Sequence, residues 1–494
     1  MFVLPDTSLE KNGHSQREYD VCIIGAGPAG IICALELENA NPALKICLLE
    51  SGGLIGSALN QELNAGENRS KILSDAEDPS MSRARGLGGT TSIWGGYLST
   101  LDEGTFKEKD WIPNSGWPIT LADLQPFYDK VAKYFLIPPG FKLSQWADEN
   151  FYSVKFKGKA LTEKLWKKMP LHFGAMQKSA LEESKQIDLY LGTTCILLET
   201  DKSGAIIAAV CERSPAPCRF TASVHVVAMG GLENARFLLN QTKRNKILMP
   251  DTRRNVGRYF STHPIFFFGA LMLKGKILES KLYTGEKKQG ATHIGYLKVP
   301  DDVRADNRWN DAYFEFGWPV PKKTSNAWQP IQHLTKGEHQ GYNILAILNE
   351  MTALPENHVG LTDTLDRYGQ NQLYIDMSLD RQTLDSSYAQ YQYFAEALGA
   401  NGFGRVFIKE KTVKDIMDGQ GKEKFWGGHH HLCTTRMTAS SIDGVVDKNC
   451  RVHDCENLYI AGSSTFSTGG IANPTFTIGA LASRLAGHIN SLLS

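Results

Sequence analysis

Residues 19–50 read YDVCIIGAGPAGIICALELENANPALKICLLE, and this stretch decides the fold of the first part of the chain. It predicts a buried strand, a glycine turn at Gly25, Gly27 and Gly30, a helix, and a second buried strand that closes on Glu50. In such a βαβ unit the glycines serve the turn, the approach of a pyrophosphate and the packing of the helix, and the terminal carboxylate binds a ribose hydroxyl. The stretch therefore predicts a dinucleotide site, without distinguishing FAD from NAD.

A second glycine-rich segment, RGLGGTTSIWGG, occupies residues 85–96. Its composition favours neither a helix nor a strand. Backbone N–H groups and hydroxyls in this density are typical of a loop laid against an extended ligand. A flexible surface loop is the alternative, but Trp94 at the centre argues against it, since loop tips are usually small and polar.

The middle of the chain divides into two parts. Three β-rich runs between residues 189 and 229 end at Gly230 and are followed by a helix, which predicts a meander that returns to the first sheet. Residues 264–425 mix aromatic-rich, strand-like segments with one predicted helix, SSYAQYQYFAEAL. This pattern indicates a second, antiparallel domain inserted between the nucleotide-binding parts.

Three consecutive histidines, His429, His430 and His431, lie in FWGGHHHLCTTRM at residues 425–437. Side chains alternate along an extended backbone, so His430 is predicted on the face opposite to His429 and His431. One metal ion would need further ligands, and no partner cluster is evident in the sequence. A metal site is therefore not favoured.

The chain closes with a predicted buried strand, a glycine turn at Gly462 and a helix of small and apolar residues. Asn473 precedes Pro474, which keeps it in an extended or turn conformation and presents its amide. This repeats the strand–turn–helix series of residues 19–50.

Composition excludes several classes of function. The 494 residues carry 53 Lys+Arg and 53 Asp+Glu, so no basic surface for nucleic acid or a polybasic membrane contact is expected. No apolar run reaches the ~18 residues of a membrane helix, and the polar amino terminus does not resemble a secretory signal. Nine scattered cysteines without metal-ligand spacing indicate reduced thiols and a cytoplasmic location.

Five motifs together resemble those of the glucose–methanol–choline (GMC) oxidoreductase family. They are GAGPAG with Glu50, GLGGTTSIWGG, AMGGLENARFLL, HHHLCTTRM, and the closing segment from VVDKNC to AGHI. The resemblance implies a mixed α/β (α+β) fold: an FAD-binding Rossmann-like domain of three-layer ββα architecture and a substrate domain built on an antiparallel sheet. We expect the first to be discontinuous and to comprise residues 1–263 and 426–494, with small inserted segments, and the second to comprise residues 264–425.

Carried over by position, the resemblance implies which residues hold FAD. They are Gly25, Gly27, Gly30, Glu50, Gly88, Gly89, Thr90, Trp94, Gly96, Cys195, Gly230, Asn234, Gly462, Asn473 and Thr475. His430 matches the catalytic histidine of the family's HxxGT motif, with Cys433 in place of the glycine, and Asn473 matches the second active-site position. Asn473 in ANPTFT is most similar to sugar enzymes of the pyranose oxidase type, but Ile93 replaces their flavin-linking histidine, so non-covalent FAD is expected.

These residues suit the oxidation of an alcohol, in which the hydroxyl loses a proton and the same carbon delivers a hydride to flavin N5. His430 would take the proton, and the amide of Asn473 would hydrogen-bond the alkoxide. A slip of one residue within the triple histidine would make His431 the base. The predicted function is oxidation of a ring hydroxyl of a sugar or glycoside, with oxygen or another acceptor reoxidising the flavin.

Three other functions stay open from the sequence. The substrate is a non-sugar alcohol, the protein is a related lyase that keeps FAD structurally, or it is a nucleotide-binding protein without catalysis. The sequence does not fix the oligomeric state or the hydroxyl that reacts.

Overall fold

The computed structural model describes residues 2–4, 18–138, 140–169, 171–214, 216–245, 250–319, 343–418 and 424–494. Most of the polar amino-terminal segment and the end of the strand-like segment DAYFEFGWPV lie outside the described residues. The described part contains two eight-stranded sheets and one three-stranded sheet.

The first sheet has a parallel core with a meander at one edge. Its strands run in the order β1-β7-β3-β2-β10-β9-β8, and β19 also pairs with β10. Pairing is parallel throughout except for β8, β9 and the start of β10, which run antiparallel. The strands are β1 (Phe2–Val3), β2 (Glu18–Ile24), β3 (Ile46–Leu49), β7 (Ile187–Tyr190), β8 (Thr194–Thr200), β9 (Ile206–Glu212), β10 (Cys218–Val227) and β19 (Leu458–Ile460). The predicted βαβ unit and the returning meander are confirmed.

Three helices cover one face of this sheet. Helix α1 (Pro28–Ala40) begins with Pro28 directly after Gly27 and packs against the closing helix α13 (Thr475–Leu493), which packs against α4 (Leu121–Val131). The N-cap of α4, Thr120, forms a capping box with Asp123. The remaining helices of this half are α2 (Ala58–Gln61), α3 (Glu103–Phe106), α5 (Phe173–Glu183), α6 (Glu233–Asn245) and α7 (Pro250–Asn255).

The second sheet is antiparallel, as expected of a substrate domain. Its order is β18-β11-β15-β14-β13-β6-β5, with β12 beside β13. The strands are β5 (Tyr97–Leu98), β6 (Thr162–Lys168), β11 (Ile265–Leu273), β12 (Glu286–Lys288), β13 (Ala291–Lys298), β14 (Ala312–Pro319), β15 (Asn343–Asn349) and β18 (Gly404–Ile408). Strands β5 and β6 come from the segment before residue 264, so the antiparallel sheet is not built from residues 264–425 alone.

A small sheet of order β16-β17-β4 joins the two halves of the sequence a second time. It consists of β4 (Gly66–Asn68), β16 (His358–Leu365) and β17 (Asn371–Asp376). The predicted helix of the 264–425 segment is present and longer than expected, and further short helices accompany it. They are α8 (Lys276–Glu279), α9 (Lys281–Thr284), α10 (Asp301–Asp306), α11 (Arg381–Ala400) and α12 (Glu410–Met417). Within the described residues no helix has the length and apolar character needed to span a membrane.

Candidate active site

A cavity of about 580 Å³ lies between the parallel and the antiparallel sheet. The cavity is lined by one residue just after the carboxyl end of each of β2, β3, β10 and β19, namely Gly25, Glu50, Gly230 and Gly462. Open parallel sheets bind their ligands at this edge. The volume falls in the ~300–1,000 Å³ range of ligand pockets. Strands β11, β13, β14 and β15 supply the other wall.

The first glycine turn leaves room for a ligand at one position and none at another. A Cβ added at Gly27 would meet nothing within 4 Å, whereas one at Gly30 would lie 1.9 Å from the carbonyl oxygen of Gly25. Gly27 caps α1 and lines the cavity, so a phosphate beside it would meet the positive end of that helix. Gly30 does not line the cavity and instead allows the helix to pack on the turn. This cradle fits the pyrophosphate of the expected FAD.

Glu50 organises the loops around this turn. Its carboxylate accepts backbone N–H groups of Ala26 at 3.0 Å, Gly52 at 2.8 Å and Gly86 at 3.0 Å. Burial raises the pKa of the Glu50 carboxyl, and these hydrogen bonds oppose the rise. Glu50 therefore holds the first glycine turn and the 85–96 loop together, in addition to the expected role toward a ribose.

The 85–96 loop closes over this end of the cavity. Gly89, Thr90, Trp94 and Gly96 line it, and the Trp94 indole donates to the carbonyl of Leu171 at 2.8 Å. Gly88 does not line the cavity; it adopts φ +90°, and a Cβ there would lie 2.4 Å from the backbone nitrogen of Gly174. It therefore serves the packing of the loop on α5.

A buried cluster of charges beside the nucleotide end was not anticipated from the sequence. Glu233 forms ion pairs with Arg83 at 2.8 Å, Arg85 at 2.9 Å and Arg236 at 2.7 Å, and Arg236 also pairs with Asp366 at 2.5 Å. Burial would raise the pKa of Glu233, but the three guanidinium groups hold it well below its usual range. All five side chains line the cavity, and their net positive charge suits an anionic cofactor.

The opposite end of the cavity joins side chains from four distant segments. His430 Nδ1 lies 2.7 Å from His263 Nδ1, and His430 Nε2 lies 3.1 Å from the amide nitrogen of Asn473. The Trp166 indole donates to the amide oxygen of Asn473 at 3.0 Å. Because the indole N–H only donates, it fixes the orientation of the amide with its NH₂ group toward His430. The structure thus brings the two predicted catalytic residues, His430 and Asn473, into direct contact.

Burial keeps the histidines of this end neutral. It lowers the pKa of His430 well below 6.5, with a further lowering from His263, and it lowers the pKa of His263 to about 4. His431 follows the same rule, with a pKa of about 3. Each ring is therefore a neutral imidazole at neutral pH, with one N–H donor and one acceptor nitrogen.

The three histidines diverge, but the reason is not the expected extended strand. His429 has φ +57°, so the segment turns there. The His429 ring lies 3.2 Å from the buried carboxylate of Glu77, and the His431 ring lies 6.2 Å from that of Phe260. All three histidines border the cavity, and among the described residues no group of three or more His, Cys, Asp or Glu side chains is placed to hold a metal ion.

Cys433, which stands where the family motif has glycine, adopts a backbone conformation that favours glycine. It is fully buried with φ +69°, and its N–H donates to the carbonyl of Ser463 at 3.1 Å. A non-glycine residue in this region is strained and persists where its surroundings impose the conformation. The exchange therefore leaves the path of the chain after His430 intact.

Aromatic rings and one carboxylate form the wall contributed by the antiparallel sheet. Tyr296 and Tyr313 line the cavity with Glu315, and the hydroxyl of Tyr296 donates to Glu315 at 2.9 Å. Trp166 packs behind them, with its ring centre 4.5 Å from that of Tyr313 and 5.2 Å from that of Tyr296. The same tryptophan holds Asn473, so this wall and the reaction end form one packed unit.

Most of the residues expected to bind FAD lie on this cavity. Those that line it are Gly25, Gly27, Glu50, Gly89, Thr90, Trp94, Gly96, Cys195, Gly230, Gly462, Asn473 and Thr475. Gly30, Gly88 and Asn234 do not. Asn234 instead ties the turn after β10 to the closing segment, since its side chain accepts from Met229 N–H at 2.8 Å and donates to Ser464 at 2.8 Å.

Sequence reasoning missed His263 and Trp166. His263 precedes Pro264 at the expected domain boundary. Trp166 lies within residues 1–263, which were expected to belong to the FAD-binding domain. Neither belongs to a recognisable spacing. The only signal was their chemistry: a histidine and an indole N–H that must find partners once buried.

Comparison with known proteins agrees with the fold. Residues 353–482 match the family described as GMC oxidoreductase. The 6'''-hydroxyparomomycin C oxidase of Streptomyces lividus is 23% identical over 98% of this chain and 93% of its own. The 2-methyl-1,2-propanediol dehydrogenase of Mycolicibacterium austroafricanum is 22% identical over 97% and 96%. The crystal structure of a formate oxidase superposes with a TM-score of 0.60 at 14% identity, over 97% of this chain and 99% of that one.

These similarities support the family as a whole rather than pyranose oxidases specifically. The solved structure shares the mixed α/β architecture, with a parallel core sheet and an antiparallel substrate sheet. FAD is the cofactor expected for the family, and the cavity fits it. The chain is thus similar to GMC oxidoreductases, through the family match over residues 353–482 and through curated relatives that align over nearly its full length.

Proposed function

We propose that the protein oxidises a ring (secondary) hydroxyl of a sugar or glycoside to a ketone, with His430 as the general base. The observation that carries the proposal is the shared cavity: His430 and Asn473 border the same space as Tyr296, Tyr313 and Glu315. The first pair supplies the chemistry of an alcohol oxidation, and the other three supply recognition of a polar ring.

His430 and Asn473 divide the work on the hydroxyl. The Nε2 lone pair of His430 accepts the hydroxyl proton, which requires the substrate to replace or share the N–H of Asn473 that now faces it at 3.1 Å. The amide nitrogen of Asn473 carries two N–H groups, so one remains to stabilise the alkoxide. Bound FAD would supply the acceptor for the hydride that leaves the same carbon.

The wall of the antiparallel sheet favours a sugar. Tyrosine rings offer flat apolar faces to the C–H face of a pyranose, and a carboxylate accepts hydrogen bonds from adjacent hydroxyls. Glu315 and the Tyr296 hydroxyl are already joined at 2.9 Å, which presents both toward the cavity as one polar patch. The similarity to the 6'''-hydroxyparomomycin C oxidase supports a polar substrate of the size of a sugar or glycoside.

FAD is expected to be held without a covalent bond. Ile93 lines the cavity at the position where flavin-linking relatives carry a histidine, and its side chain has no nucleophile. Acid precipitation of the yellow protein should therefore leave the colour in solution, and colour that stays with the precipitate would contradict this part of the proposal. The cytoplasmic location also stays a prediction, supported by nine free cysteines in the structure.

A non-sugar alcohol is the second candidate. Ile265, Phe267 and Leu348 add an apolar side to the same wall, and the similarity to a 2-methyl-1,2-propanediol dehydrogenase supports a smaller, less polar substrate. A lyase with structural FAD is the third candidate. In it His430 would act as a base and Asn473 as its uncharged hydrogen-bond partner, without net oxidation of the substrate.

Turnover with three groups of compounds separates these possibilities. Sugars, glycosides and small non-sugar diols should be tested with oxygen and with an artificial electron acceptor, followed by mass and NMR analysis of products. We expect a ketone two hydrogens lighter than a sugar or glycoside. Turnover of the diols alone would replace the sugar proposal, and cleavage without electron transfer would favour a lyase.

A further inference from the structure

We propose that His263 is a positioning residue for His430, fixing the tautomer in which Nε2 of His430 is unprotonated and able to accept the substrate proton. The inference rests on the proposed role of His430 as base, and it adds a residue that no sequence motif indicated. Its basis is the 2.7 Å contact between the Nδ1 atoms of His263 and His430. The two rings belong to a chain of hydrogen bonds that runs from Gly469 through His263, His430 and Asn473 to Trp166.

The Gly469 end of this hydrogen-bond chain determines which ring nitrogen of His263 carries the proton. Its Nε2 lies 3.4 Å from the carbonyl oxygen of Gly469, which only accepts hydrogen bonds. Nε2 of His263 therefore carries the proton, and Nδ1 of the neutral ring is an acceptor. The Nδ1 of His430, 2.7 Å away, must then donate, which leaves the lone pair of the His430 ring on Nε2.

The Trp166 end of the hydrogen-bond chain independently favours the same tautomer of His430. The Trp166 indole donates to the oxygen of Asn473, so the amide nitrogen faces His430 Nε2 at 3.1 Å. An amide NH₂ group only donates, so it requires a lone pair on that ring nitrogen. A carbonyl at one end and an indole at the other thus impose one direction on the whole chain from Gly469 to Trp166.

His263 is also held firmly and lies near negative charge. It is 2% exposed, and its Nε2 lies against the carbonyl of Gly469. Glu350, 2% exposed, accepts the N–H of Gly470 at 3.2 Å and raises the pKa of His263 against the lowering by burial. When His430 becomes an imidazolium, its Nδ1–H keeps an acceptor, and the charge-assisted bond is stronger than the neutral one.

Free histidine prefers the other tautomer, with the proton on Nε2, so the arrangement is testable without substrate. Protein labelled with ¹⁵N-histidine should show one ring, identified by its loss in His430→Asn, with a protonated Nδ1 and an unprotonated Nε2. Replacing His263 by leucine removes the acceptor of the Nδ1–H and leaves only Asn473 to favour an unprotonated Nε2, so part of the ring population should shift to the Nε2–H form. A wild-type His430 that already carries its proton on Nε2 would overturn the proposal.

Kinetics supply a second test. His263→Leu removes the acceptor, whereas His263→Asn places an amide oxygen near the former Nδ1. We expect His263→Leu to slow anaerobic flavin reduction about 10²-fold at unchanged substrate affinity, because a wrong tautomer is costly, and His263→Asn to recover most of the rate. His225→Leu is the matched control: His225 is an equally buried histidine in β10 that does not border the cavity.

Equal rates for the leucine and asparagine variants, with FAD bound and the fold intact, would also overturn the role of His263. The proposed function fails differently: His430→Ala would then retain flavin reduction, while the ¹⁵N result for wild-type His430 would be unchanged.

Discussion

The two ends of the cavity are built in opposite ways. The nucleotide end uses residues that are close in sequence: Gly27 and Glu50 belong to one βαβ unit, and Glu50 accepts N–H groups from its own turn and the next loop. The reaction end joins residues from four distant strands and loops; the partners of His430 and Asn473 lie 167 and 307 positions away. The cradle expected to hold the pyrophosphate is therefore a local property of the sequence, and the reaction end is a property of the assembled fold.

The largest expected effect separates the two ends most clearly. Replacing His430 by alanine should slow anaerobic flavin reduction about 10²–10⁴-fold, the usual range for loss of a general base. FAD should stay bound, because the nucleotide end is untouched. Rapid-mixing absorbance at saturating substrate measures both quantities.

His429→Ala is the control for this variant. Its ring faces Glu77 rather than Asn473, so the rate should change little. If His431→Ala is the slow variant and His430→Ala the mild one, the base is His431, and the similarity to the family is unaffected.

Asn473→Ala should come next. It removes the amide that faces His430 Nε2 and that is expected to stabilise the alkoxide, so we expect flavin reduction to fall about 10²-fold. The proton acceptor remains, which makes the loss smaller than in His430→Ala. A rate equal to that of the wild type would show that the Trp166–Asn473 contact is structural only.

The nucleotide end predicts the reverse pattern. Glu50→Ala removes a charged acceptor worth about 1.5–3 kcal/mol per hydrogen bond, so the Kd for FAD should rise about tenfold or more. Flavin reduction in fully loaded enzyme should be nearly normal. Fluorescence of released FAD during dialysis or titration measures the affinity.

Glu36→Ala is the matched control, since Glu36 is a buried carboxylate of α1 that pairs with Lys130 and does not border the cavity. It should lower thermal stability without changing FAD affinity. Equal FAD affinity in Glu50→Ala and wild type would refute the placement of the ribose at Glu50.

The smallest expected effect is that of pH. Burial lowers the pKa of His430 well below 6.5, so the base is unprotonated throughout the neutral range. Flavin reduction should be flat from about pH 6.5 upward and fall only as the pH drops through the lowered pKa. A rate that climbs between pH 7 and 8 would instead indicate a base with an ordinary or raised pKa.

The same contrast explains what the sequence could and could not predict. The strand, turn, helix and acidic residue of residues 19–50 are contiguous. Hydrophobic periodicity and glycine spacing were therefore enough to predict the βαβ unit, which is confirmed. His430 and Asn473 were identified by motif, but nothing local indicated His263 or Trp166, because their partners are set by strand pairing. The domain limits stay a prediction; strand pairing also joins Thr162–Lys168 to β13 across the expected boundary.

Asn234 and Cys433 show two further limits. Asn234 was expected at FAD but fills a buried hydrogen-bonding role, which depends on neighbours in the closing segment. Cys433 replaces the glycine of the family motif, yet its φ of +69° lies in the region that favours glycine. In both cases tertiary packing overrides what the residue type suggests.

The most direct test of the central claim is anaerobic mixing of the FAD-loaded wild-type protein with a panel of sugars and glycosides, followed by absorbance at the flavin band. We predict that at least one sugar or glycoside bleaches the flavin within the mixing experiment, that readmitted oxygen or an added acceptor restores the colour, and that His430→Ala stays yellow. A wild-type flavin that remains oxidised with every sugar, glycoside and diol would contradict the oxidation of an alcohol at this site.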